Sequence, residues 1–308
     1  MMTALPVLDV AEFASDDWYR ALDRACAEWG CFQVVGHGID AALINATLGQ
    51  MRRFFALPRD EKLAMERTGD NAWGFFDREL TKNVRDWKEI FDFGPVAEHG
   101  PMAGSVPQWP PGLPDFRAVM EAFYGAAERV AAGILAGISS NLGMAPDHLA
   151  GSFGASHTSF LRLNYYPLCA QAGEHLGISQ HTDSGALTVL LADGQPGLQF
   201  FHRGEWHTVA PNPRALTINI GDIVQVWSND RYTAPLHRVL ASSEAERFSA
   251  PFFYNPDYRV DYAPLPGVVS KDSPARYRAI NWGEFRAGRA AGDYANLGEE
   301  IQIEHFRC

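Results

Sequence analysis

The sequence predicts an α+β protein. A helix-rich N-terminal region runs to about residue 150, a β core spans 151–265, and a helical C-terminal segment at 266–308 packs back on that core. Three observations carry this reading. The longest helical pattern in the chain, Phe116 to Leu142, precedes the β region and stops at Gly143. After Pro146 the apolar residues fall instead into short runs about 8 to 12 residues apart, separated by Gly, Pro, Asn and Asp. From Ser273 to Gly298 the spacing becomes helical again. Many short strands without long helices between them make an antiparallel sandwich or barrel, of which the double-sheet jelly roll is one solution.

Taken in order, Leu5 to Val10 is a short apolar opening, and Trp18 to Trp29 has helical spacing with acidic residues ahead of it and Gly30 as its stop. Cys31 to Val35 has the β-branched and aromatic content of a strand, and Gly36-His37-Gly38 turns into a helix from about Asp40 to Leu57. Pro58 starts a short helix through Met65. Residues 69–112 read as irregular, and the five prolines between Pro101 and Pro114 mark a connector. Gly133 and Gly137, four apart on the long helix, imply close packing against a neighbour. In the β region the expected strands are Phe160 to Tyr165, Ala186 to Leu191, Leu198 to Phe201, Trp206 to Ala210, Leu216 to Ile220, Ile223 to Trp227, His237 to Leu240 and Arg247 to Tyr254.

The 308 residues can bury a substantial core, as one domain with an appended helical region or as two domains. A formal net charge of −11, with no Lys/Arg cluster, argues against nucleic acid and anionic membrane as partners. No segment approaches 18 consecutive apolar residues, and no basic leader precedes an apolar stretch. Cys26, Cys31, Cys169 and Cys308 form neither a CxxC pair nor a disulfide framework, so the expected location is the reducing cytoplasm. Nothing in the sequence sets the oligomeric state.

The chemistry is concentrated in the β region. His181 and Asp183, separated by one residue, project to the same side of an extended segment, so an imidazole and a carboxylate can approach one ion. His237, 54 positions past Asp183 at the start of an expected strand, is the candidate third ligand. Two neutral imidazoles and one carboxylate on one face of an octahedron suit Fe(II) and leave three positions open for cosubstrate and oxygen. In a chain with ten histidines a lone His-x-Asp pair often arises by chance, and His207, also in a β segment, is the competing third ligand. His175 lies close upstream of the pair. Arg247 and Ser249 face one side of another expected strand, among Phe248, Phe252 and Phe253. A guanidinium fork with a hydroxyl is the equipment for one carboxylate, such as the distal one of a dicarboxylic oxoacid.

His-x-Asp, a distal His and Arg-x-Ser ten residues later, together with Asn164-Tyr165-Tyr166-Pro167, resemble the iron(II)- and 2-oxoglutarate-dependent oxygenases of the isopenicillin N synthase-like superfamily. Trp29 to Gly38 resembles that family's N-terminal strand and turn, with Gly36 where Asn is usual. The resemblance runs from about residue 5 to residue 300. It implies a double-stranded β-helix, or jelly-roll, core, with Tyr166 joining Arg247 and Ser249 on the oxoacid carboxylate and Asn164 near the cosubstrate's iron-binding end. It also implies hydroxylation or desaturation of a small organic molecule, with O2 consumed, succinate and CO2 released and ascorbate a candidate reductant. The implied substrate walls include Phe75, Phe76, Asp86, Lys88, Phe91, Phe253 and Tyr294. The charged stretch Asn83 to Glu89 fits a loop over a solvated face equally well. The alternatives are a same-fold iron oxidase that uses no 2-oxoglutarate, a hydrolytic zinc enzyme and a non-catalytic jelly-roll binding protein.

Overall fold

The computed structural model describes residues 2–13, 15–81, 84–96, 98–294 and 301–308, without the side chains of 290–294. Helix α1 (Asp16–Glu28) begins where the Ser15 hydroxyl accepts from the Trp18 N–H, with Asp16 and Asp17 facing the positive end of the helix dipole. Helix α2 (Ala41–Phe55) is capped in the same way by Asp40, and α3 (Arg59–Leu63) follows Pro58. The long α4 (Phe116–Asn141) crosses α1 closely. A Cβ on Gly137 would stand 2.4 Å from a ring carbon of Trp18, and one on Gly133 would stand 2.7 Å from Phe13. The expected close packing at these two glycines is therefore present.

The N-terminal region supplies β1 (Met2–Thr3), β2 (Val7–Asp9), β3 (Cys31–Val35), β4 (Gly74–Phe76), the paired β5 (Leu80–Thr81) and β6 (Val84–Arg85), and β7 (Glu89–Phe93). The region expected to be irregular thus contains four strands; they are too short to show periodicity, and pairing with later strands holds β4 and β7 in place. The core adds β8 (Phe160–Tyr166), β9 (Leu176–His181), β10 (Leu187–Ala192), β11 (Leu198–His202), β12 (Glu205–Val209), β13 (Leu216–Ile220), β14 (His237–Leu240) and β15 (Arg247–Tyr254). Strand β9 was not among the expected strands, because Gly177 and the polar residues at its end interrupt the apolar pattern. Between β13 and β14 lies α5 (Asp222–Trp227), where the sequence suggested a strand. All six residues of α5 are buried, so no polar face marked its period. A small ladder, β16 (Asp261–Tyr262) with β17 (Ile280–Asn281), leads into α6 (Trp282–Tyr294). The expected C-terminal helical pattern therefore starts later than Ser273, and its end at Gly298 lies outside the described residues.

Two sheets form the jelly roll. One has the order β2-β3-β13-β10-β15-β8-β7-β4 and the other β1-β12-β11-β14-β9. Period-two alternation decides what each strand of the larger sheet contributes. On β8, Leu161 and Leu163 join the main core under the helices, while Phe160, Arg162, Asn164 and Tyr166 line a cavity on the opposite face. On β15, Phe248, Ala250, Phe252 and Tyr254 enter that core, and Arg247, Ser249, Pro251 and Phe253 line the cavity. A smaller apolar cluster including Leu5, Leu198, Phe200 and Val239 closes the space between the sheets. Gly36 has φ +64, and a Cβ there would lie 1.9 Å from Asp9 Oδ1, which already accepts the Ala11 N–H. Glycine is thus the residue this turn admits beside Asp9. Among the described residues no helix is long and apolar enough to cross a membrane.

Candidate metal centre and cosubstrate clamp

Strand β9 ends at His181 and β14 starts at His237, and the two are direct partners in an antiparallel ladder. Asp183 follows two residues after His181, so neighbouring strands bring all three side chains together. One ligand atom from each of His181, Asp183 and His237 lies within 4.8 Å of the others. Asp183 Oδ1 stands 3.7 Å from Nε2 of both imidazoles, a spacing that a shared ion can fill. Nδ1 of His181 lies 2.8 Å from the Ser179 carbonyl, and Nδ1 of His237 lies 3.0 Å from the Pro235 carbonyl. Because a carbonyl accepts only, each Nδ1 carries the proton and each Nε2 presents a lone pair to the centre.

Asp183 is oriented by two further residues. Its Oδ2 accepts from the Thr188 hydroxyl on β10 and from Asn219 Nδ2 on β13, the latter at 2.8 Å. Burial alone would raise its pKa, but the facing His237 and His181 and the hydrogen bonds from Thr188 and Asn219 bring it below the usual carboxylate range. Burial and the neighbouring His237 push His181 down to about 3. The site is therefore held as a carboxylate and a neutral imidazole at neutral pH, the form in which these groups bind a metal. His207 is elsewhere: it meets Thr3 and stacks edge-on against Trp29, with centroids 5.5 Å apart. His175 stacks on Trp87 at 5.2 Å, also outside the triad.

The second half of the site lies on two paired strands. Arg247 is opposite Tyr166, and Ser249 is opposite Asn164. All four are buried, with the Arg247 guanidinium 3.2 Å from Ser249 Oγ and 5.1 Å from the Tyr166 ring centroid. Among the described residues, Arg247 Nε and Asn164 Oδ1 are buried without a hydrogen-bond partner. Orphaned polar atoms of this kind cost free energy unless a ligand completes them, and a dicarboxylic oxoacid supplies what the guanidinium lacks. The donor set likewise fits Fe(II), since two nitrogens and one carboxylate oxygen leave room for a chelating cosubstrate.

Clamp and triad face one cavity of about 170 Å³. Phe253 and Phe160 stack across its wall at 4.7 Å, and Lys88 also lines it, held by Glu79 at 2.7 Å and Asp86 at 2.9 Å. Asp86 sits behind that wall, accepting from Thr81 and from the Ser179 N–H. Phe75 and Phe91 are placed differently from their expected role. Both are fully buried in the main core, because β4 and β7 turn those side chains toward Phe54 and α4. Phe76 lies beneath Arg67 and Arg78, with the Arg67 guanidinium 4.0 Å above its ring, and does not line the cavity. The Tyr294 side chain falls outside the described residues. Sequence reasoning passed over Thr188, Asn219, Glu79, Arg162 and Arg286. The available signal was a polar residue inside an otherwise apolar strand, as Asn219 is in Leu-Thr-Ile-Asn-Ile.

A jelly roll carrying a His-Asp-His face beside a buried arginine clamp defines a non-haem iron oxygenase. The comparisons agree: the model of the 2OG-Fe(II) oxygenase superfamily matches residues 157–256, and that of the non-haem dioxygenase N-terminal region matches residues 5–112. The chain is 33% identical over 291 residues to jasmonate-induced oxygenase 4 of Arabidopsis thaliana, covering 92% of this chain and 81% of the relative. To flavanone 3-dioxygenase 2 of Oryza sativa subsp. japonica it is 34% identical over 311 residues, covering 98% and 87%. The crystal structure of JOX2 in complex with 2OG, Fe and JA superposes with a TM-score of 0.84 at 32% identity, covering 93% and 85%. This chain belongs to the 2OG-Fe(II) oxygenase superfamily. It is an enzyme that uses Fe(II) and 2-oxoglutarate to oxidise a small organic molecule.

Proposed function

We propose that Arg247, Ser249 and Tyr166 bind the C5 carboxylate of 2-oxoglutarate, that Asn164 meets its iron-binding end, and that the organic substrate lies over Phe253 and Phe160. The observation that carries this reading is the buried Arg247 guanidinium with an unpartnered Nε. His181, Asp183 and His237 would hold Fe(II), which when bound would supply the redox chemistry linking decarboxylation of the oxoacid to oxidation of a C–H bond, as hydroxylation or desaturation. The chain's own contribution is position. Arg247 and Ser249 fix the far end of the oxoacid in a water-poor wall, Thr188 and Asn219 hold the ligand carboxylate, and the Phe160–Phe253 pair shields the reacting carbon. The free cysteines, three of them buried, support a reducing, cytoplasmic location.

The test counts succinate released against oxygen consumed, with and without ascorbate. Arg247→Lys loses the planar fork and raises KM for 2-oxoglutarate by roughly 10- to 100-fold, the equivalent of about 1.5–3 kcal/mol of charge-assisted hydrogen bonding. Turnover without succinate, or an unchanged KM in the variant, would sink the assignment.

A further inference from the structure

The cavity beside the triad is lined by the cations Lys88, Arg162, Arg247, Arg286 and Arg289 against the carboxylates Glu79 and Asp183. This reverses the sign of the chain, whose formal net charge is −11. Asp86, Asp92 and Asp222, just behind the wall, face three of these cations, and Fe(II) together with 2-oxoglutarate adds no net charge.

The five cations differ in how they are engaged. Lys88 is neutralised by Glu79 and Asp86. Arg162 grips Asp92 with two donors at 2.8 Å and reaches Glu79 at 2.9 Å. Arg289 donates to Gln302 at 2.7 Å and to the Thr182 carbonyl at 3.1 Å, with Asp222 at 3.9 Å. Arg247 belongs to the cosubstrate end. Arg286, on α6 and half-buried, makes no hydrogen bond or ion pair among the described residues, although it lines the same cavity. Helix α6 packs against β5, whose Leu80 and Thr81 border the opening too. Among the described residues, therefore, one uncommitted guanidinium and a stacked pair of aromatic rings line the same cavity.

We infer that Arg286 binds a carboxylate of the organic substrate, and that the substrates are small monocarboxylic acids with an apolar body resting on Phe160 and Phe253. A guanidinium fork matches one carboxylate in its plane, and partial burial makes that pairing stronger than on an open surface. A single uncommitted cation matches a single negative charge. The inference rests on the cosubstrate reading above, because the oxoacid must occupy the Arg247 end for the substrate to take the other.

The experiment titrates the anaerobic Fe(II) protein first with 2-oxoglutarate and then with phenylacetate, cinnamate, cyclohexylacetate and the methyl ester of each, followed by succinate measurement in air. At least one acid binds and stimulates succinate formation ten-fold or more over its ester. Arg286→Gln removes that preference, and Arg286→Lys retains part of it. Absence of any acid-over-ester preference in the unmodified protein, or a preference that survives Arg286→Gln, overturns the inference. Failure of 2-oxoglutarate to bind in the first titration would instead count against the cosubstrate reading.

Discussion

At the scale of single residues, the carboxylate ligand depends on neighbours that never touch the metal. Asp183 uses one oxygen toward the imidazoles and gives the other to Thr188 and Asn219. Asn219→Ala removes a buried donor from that second oxygen while leaving all three ligands in place. The expected outcome is a roughly 10-fold or greater loss of Fe(II) affinity, measured by anaerobic metal titration. A variant that binds iron as tightly as the parent would show that Thr188 alone fixes the carboxylate. The His-x-Asp pair is legible as a local pattern, and Arg247 and Ser249 share one face of β15 as their spacing implies, whereas His237 joins the pair only through the pairing of β14 with β9. Asn219 and Thr188 do not stand out as site residues in the sequence, because their role appears only when the neighbouring strands β10 and β13 of one sheet meet Asp183, which follows β9 of the other. Phe75 and Phe91 show the converse. Aromatic residues near a motif look like pocket walls, yet strand alternation sends these two into the core.

Among the elements, α4 owes its position to what its glycines omit. A methyl group on Gly137 would press on both Trp18 and Leu22, at 2.4 and 2.7 Å, and Trp18 is itself buried between helices. Gly137→Ala gains helix propensity but forces α1 away from α4, so net destabilisation of about 1–3 kcal/mol is expected, read as a lower denaturation midpoint. An unchanged or raised midpoint would mean that α1 shifts freely. The periodicity of α4 is plain in the sequence over its whole length, whereas the sequence of α5 reads as a strand. Helical spacing needs a polar face to be visible, and a six-residue helix wrapped on every side by core has none.

Over the whole molecule, one carboxylate ties the barrel to its C-terminal tail. Asp230, just past α5, accepts from Gln225 at 3.0 Å, from the Tyr277 hydroxyl, and from Arg307 at 2.8 Å. Burial works to raise its pKa, but the hydrogen bonds from Arg307, Tyr277 and Gln225 prevail and lower it to about 2. A carboxyl depressed on folding adds stability above its unfolded value, near 4, and loses it as the pH falls toward the folded value. Melting temperatures measured from pH 5 down to pH 2 should therefore drop less steeply in Asp230→Asn than in the parent. Parallel curves would remove Asp230 from the acid response. The two sheets share another long-range tie. Strand β1 is the outermost strand of one and β2 of the other, and Met2 and Thr3 pair with Thr208 and Val209. That pairing closes a loop of about two hundred residues, the kind of contact that folds slowly. Met2 and Thr3 are thus seated only after β12 has formed, and until then the free edge of β12 is open to any other extended segment, including one from a neighbouring copy.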